Sequence, residues 1–196
     1  MITELHDKLI NNSDYKNELI KKTLENAQDN QKKYNAFVTI MEDRETKITA
    51  NLLSGIPYAL KDNFATKGIL TTGSSNTLKN YTPVFDATVY DKLNQAGAVC
   101  IGKTVLDELG MGSTGTTGHT GIVKNPWNTE HICGGSSAGS AAVVASGLVY
   151  FAIGSDTGDS VRKPAALTGI VGYKPTYGLV SRYGLFAFAS SLDTVG

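Results

Sequence analysis

All 21 glycines and all five prolines of this 196-residue chain lie between Gly55 and Gly196, and residues 1–50 contain neither. Glycine and proline are the residues that turn or interrupt regular structure. The first fifty residues are therefore free to run as helix, whereas the remainder must turn often. Ile2, Leu5 and Leu9 recur at helical spacing, and so do Ile20, Leu24 and Ala27. Asn12-Ser13-Asp14 interrupts the pattern and suits the cap of a second helix. Residues 1–50, 17 of them charged, are read as an N-terminal helical segment packing on a core built by residues 51–196.

The core alternates strand and helix patterns. Ala36–Ile40, Pro57–Leu60 leading into Lys61, Ala98–Ile101 and Val149–Ile153 read as strands. Phe85, Val89, Leu93 and Ala96 form a helical stripe, and residues 138–148 form a small-residue helix. This alternation predicts an α/β fold whose sheet is covered on both faces, with chemistry on loops at strand ends. Eighteen basic and 18 acidic side chains give zero net charge, which argues against a general nucleic-acid or anionic-membrane binder. No apolar run approaches the roughly 18 residues of a membrane helix, and no secretory signal is visible. With two cysteines and no zinc-ligand spacing, a cytoplasmic protein without a metal site is expected.

Three short motifs fail on physical grounds. Gly97–Thr104 has the spacing of a phosphate-binding P-loop, but its middle residues are apolar and read as strand, where a P-loop needs an open turn after a strand. Gly135-Ser136-Ser137-Ala138-Gly139 fits a nucleophile elbow, yet the last histidine, His131, precedes it. Ser160-Val161-Arg162-Lys163 fits S-x-x-K without its companion elements. What remains is a pair of loops rich in glycine and hydroxyls, Gly134–Ser140 and Gly154–Ser160, flanking one strand. Such loops either aim amides at a developing oxyanion or are simply tight turns.

With Lys61 in GIPYALKDNF, the segments GGSSAGSAAVVASG and GSDTGDSVRKPAALTGIVGYKPTYG resemble the amidase signature family. The likeness continues through Ser181–Gly184 and Phe188–Asp193, and is strongest to the tRNA-dependent amidotransferase branch. It implies a mixed central sheet covered by helices, and a chain truncated relative to the family domain. It also implies a Ser–cis-Ser–Lys triad, with Ser160 the nucleophile, Ser136 the bridging serine and Lys61 the base. Thr157, Gly158 and Asp159 would receive the substrate oxygen. Ser137, Asp156 and Arg162 would support the site, the last two as an ion pair. Glutamine would be the amide donor. The ammonia would pass to a partner, the B subunit, which uses ATP and Mg to activate Glu-tRNA(Gln), with a C subunit holding the complex together. This chain would itself need no cofactor. A stand-alone amidase and a non-catalytic fragment are the alternative readings.

The chain departs from the family at Ala138, at Cys133, at Lys163 in place of glutamine, and at Asp159 in place of glycine. A positive φ at position 159 would cost aspartate on the order of 1 kcal/mol. A carboxylate beside the oxyanion would also slow the reaction unless it points outward or pairs with Arg162 or Lys163, and Asp159→Gly is expected to raise kcat about tenfold, or ~1.4 kcal/mol of barrier.

Overall fold

The computed structural model describes residues 2–42 and 49–196; residues 43–48, the end of the expected helical segment, lie outside the described residues. The chain begins with α1 (Ile2–Asn11) and α2 (Ser13–Tyr34), followed by β1 (Phe37–Ile40) and β2 (Pro57–Lys61). Next come α3 (Thr88–Gln95), β3 (Val99–Thr104), and the short pair β4 (Lys124–Asn125) and β5 (Asn128–Ile132). The last elements are α4 (Ala138–Ala145), β6 (Ala152–Ile153), β7 (Ser155–Asp156), α5 (Arg162–Thr168) and β8 (Thr194–Val195).

Asn12 caps α2 by accepting from the amides of Asp14 and Tyr15, which ends α1 and restarts the helix as the sequence implies. At the other end of α2, Asn35 takes a left-handed φ of 54° and donates from its side chain to the carbonyls of Thr120 and Ile122. Leu5 and Leu9 of α1 bury against Ile56, and Leu24 and Ala27 of α2 join the core beneath the sheet.

The central sheet runs β1-β3-β2-β6. β1 is antiparallel to β3, while β2 is parallel to both β3 and β6, so the sheet is mixed. One face carries Ala59 and Ile101 against α2 and α4; the other carries Tyr58 and Leu60 against Tyr90, Val89 and Leu93 from α3 and its neighbours. The fully buried strand β2 thus serves two cores at once.

Several elements differ from the sequence reading. The 149–153 strand shortens to β6, and the 138–148 helix ends at Ala145 because Ser146 to Gly147 turns out of it. Phe85 lies before α3 and packs its ring 5.5 Å from that of Tyr183. His131 belongs to β5.

The P-loop look-alike is strand β3, as its apolar centre requires. The register of β2 and β3 shifts between Tyr58 and Ala59, so Ile101 is an extra residue and Lys103 pairs with Leu60. That shift turns Lys103 toward a closed polar nest. Its Nζ donates to the Phe64 carbonyl at 2.9 Å, Thr66 Oγ1 at 2.6 Å and Thr71 Oγ1 at 2.7 Å, and lies 3.3 Å from Asp62 Oδ1. Both charged side chains are fully buried. Removing one partner of such a pair strands the other in low dielectric, so Lys103→Met is expected to cost about 3–5 kcal/mol of folding stability. Denaturant unfolding measures this, and Lys103→Met/Asp62→Asn should recover part of the loss.

Candidate active site

Lys61 is the last residue of β2, on the strand face that carries Ala59 and meets α4. Its side chain is fully buried. Nζ lies 2.8 Å from Ser136 Oγ, 2.9 Å from Ser155 Oγ and 3.2 Å from the Ser155 carbonyl. Asn63 Nδ2 also donates to Ser155 Oγ, at 3.0 Å. Residues 75 and 94 positions away from Lys61 thus converge on one amine.

Burial pulls the Lys61 ammonium down from 10.5 to about 7, against the opposing fields of Asp107, Asp156 and Asp193. Near neutral pH the amine is therefore available as a base.

Ser136 follows a cis peptide bond from Gly135. Its carbonyl accepts from the Asp107 amide at 3.1 Å. Ser137, not Ser136, is the N-cap residue of α4, and it makes no side-chain cap. Instead its Oγ donates to the Ser155 carbonyl at 3.2 Å, and its amide donates to the Ser160 carbonyl at 3.0 Å. Ser137 therefore ties the two serine loops together.

Helix α4 can approach this closely because of Gly139. A Cβ there would lie 2.7 Å from the backbone nitrogen of Val105, and the Gly139 amide donates to the Val105 carbonyl at 2.9 Å. The helix rests on the backbone of the segment following β3.

Ser160 is buried at the end of the 154–160 loop. The backbone N–H groups of Gly158, Asp159 and Ser160 meet no acceptor among the described residues. The loop is anchored from behind by Asp156, whose carboxylate accepts from the Val161 amide at 2.9 Å and from Arg162 Nε and Nη2 at 3.1 and 2.9 Å. Burial pushes the Asp156 carboxyl up, but the Arg162 and Val161 hydrogen bonds outweigh it and hold the group below the ordinary range. Arg162 also donates to the Gly158 carbonyl. Thr157 Oγ1 donates to Asp193.

Asp159 avoids both penalties. Its φ is not in the left-handed region, and its carboxylate turns outward, 3.9 Å from Lys163 Nζ one helical turn on. The two departures at 159 and 163 thus face each other at the surface. The sequence reading missed Ser155 and Asp107. Ser155 carried a signal, a hydroxyl between an apolar strand and Asp156, but the Asp107 carboxylate binds mostly backbone amides, which no motif reports.

No helix is long and apolar enough to cross a membrane, and no three or more His, Cys, Asp or Glu side chains gather for a metal, both among the described residues.

Two outcomes follow from this geometry. With Lys61 depressed to about 7, the ammonium form dominates below that pH and the neutral amine, the only form able to act as a base, above it. Any reaction in which Lys61 serves as the base should therefore show a kcat/KM that rises through about pH 7 and levels off on the alkaline side. Because the exposed Asp159–Lys163 pair is worth at most about 1 kcal/mol, Asp159→Gly should leave kcat within about fivefold of the parent, measured in the full-length enzyme.

Residues 18–196 match the Amidase family. Over its whole length the chain is 51% identical to the A subunit of the glutamyl-tRNA(Gln) amidotransferase of Streptococcus pneumoniae and 49% identical to that of Oenococcus oeni, covering 42% of each. Its fold superimposes on the crystal structure of the corresponding A subunit from Thermotoga maritima with a TM-score of 0.90 at 49% identity, over 94% of this chain and 41% of that one. The chain spans less than half the length of these relatives. With a family match over nearly the whole chain and half of its residues shared with these relatives, the chain belongs to the amidase family.

Proposed function

We propose that this chain carries the catalytic serines and lysine of the glutaminase component of a tRNA-dependent amidotransferase. The observation that carries the reading is the 2.8 Å contact of the buried Lys61 amine with Ser136 Oγ. A serine hydroxyl is a weak nucleophile until a base takes its proton, and a lysine depressed toward neutrality supplies one. In this reading neutral Lys61 takes the Ser136 proton as Ser136 takes that of Ser160, and Ser160 Oγ attacks the carboxamide carbon of glutamine. The unfilled amides of Gly158, Asp159 and Ser160, beside Thr157, receive the carbonyl oxygen as it becomes an oxyanion. The C–N bond breaks, the relay returns a proton to the leaving nitrogen and ammonia departs. Water then cleaves the acyl-enzyme to glutamate. Arg162 and Asp156 hold the nucleophile loop, and Ser137 holds the bridging serine beside it.

The identity to the A subunits of two bacterial amidotransferases supports glutamine as the donor. It likewise supports the amidotransferase B and C subunits as partners in the cytoplasm, with ATP and Mg used by the B subunit on Glu-tRNA(Gln). Ser160→Ala in the full-length, assembled enzyme should lower glutaminase activity by about 10³-fold or more while circular dichroism shows an unchanged fold. Wild-type activity in that variant would remove Ser160 from the mechanism. Co-purification of the B and C subunits tests the partners.

A further inference from the structure

Three carboxylates act on Lys61: Asp107 from the loop after β3, Asp156 from β7 and Asp193 from just before β8. They differ in what surrounds them. Asp156 is neutralised by a two-point contact with Arg162, and the field of Arg182 reaches Asp193. Asp107 makes no direct ion pair among the described residues.

All the side-chain partners of Asp107 are neutral donors. Oδ2 accepts from the amides of Thr114 and Gly115 at 3.1 and 3.0 Å. Oδ1 accepts from the amides of Thr116 and Thr117 at 3.0 and 3.2 Å and from Thr117 Oγ1 at 3.0 Å. The residue is fully buried. Dipoles satisfy a carboxylate without cancelling its charge, and a net charge in a dry interior acts over a longer range than a paired one. Asp107 is also joined to the bridging serine. Its amide donates to the Ser136 carbonyl, and its carboxylate closes so tightly on Gly135 that no Cβ fits there.

We propose that Asp107 is a positioning residue of this site, its main chain holding Ser136 in place and its uncancelled charge tuning the amine of Lys61. The inference rests on Lys61 acting as the base. A negative charge favours the ammonium form, so removing it makes Lys61 lose its proton more readily.

The test is the pH profile of kcat/KM for glutamine hydrolysis in the full-length enzyme. Asp107→Asn should move the acid limb to lower pH by about half a unit or more and lower kcat. Asp107→Glu keeps the charge and misplaces the loop, so it should lower kcat with the limb unmoved. A purely structural Asp107 would lower kcat in both variants and move the limb in neither, which overturns the proposal. If Asp107→Asn does not fold, Asp107→Ser repeats the measurement with the main-chain contact intact. If neither neutral variant folds, the carboxylate is required for the fold itself and the tuning role is overturned. Lys61→Ala separates the two readings. If it stays active, the base assignment fails; if it is inactive and the limb of Asp107→Asn stays in place, only the role of Asp107 fails.

Discussion

Taking a charged amine out of water costs several kcal/mol unless partners replace the lost solvation, and the buried Lys61 puts that cost at the centre of this fold. The chain meets it with short polar contacts to Ser136 and Ser155 and with carboxylates set around the amine. Each contact comes from a different segment, so the sheet, α4 and the 154–160 loop must all be in place before the lysine has an environment at all. The second buried lysine, Lys103, is handled differently. It sits beside Asp62 with three further acceptors and is closed off, which suits a structural pair. The two lysines lie on neighbouring strands, and the register shift in β3 sends Lys103 into the nest beside Asp62 while Lys61 faces α4.

Much of the architecture was legible because it is periodic. The helical spacing of Leu5, Leu9, Leu24 and Ala27 and the break at Asn12 translate directly into α1 and α2. The apolar centre of the P-loop look-alike identified a strand, because a phosphate loop cannot also be a buried sheet element. Ends were less legible. β6 keeps only two of its five expected residues, since extension depends on a neighbouring strand to pair with rather than on residue type. The stripe containing Phe85 overran α3 because an aromatic ring can pack against Tyr183 without being helical.

At the site, long motifs located Lys61 and Ser136, which the fold then brings within hydrogen-bonding distance. Ser155 and Asp107 escaped, for two reasons. Ser155 works through its tertiary position at a strand end. Asp107 works through amides of a loop seven to ten residues further on, and a carboxylate that binds backbone leaves no side-chain pattern to read. At Asp159 the sequence left two arrangements open, a carboxylate at the oxyanion or one turned outward to Arg162 or Lys163. Its counterpart at 163, a turn away, redirects the carboxylate, and only the folded chain shows the two together.

The seat of Gly139 on the backbone at Val105 makes one wall of the site incompressible. Where main chain touches main chain there are no side chains to exchange, so neither mutation nor a bound molecule can reshape that surface by small steps. The serine-bearing end of α4 behaves as an anvil of fixed height. Differences in the size or shape of the molecules accepted must then be written elsewhere, in loops whose side chains are free to vary, and the chemistry can be inherited unchanged while its clientele is revised.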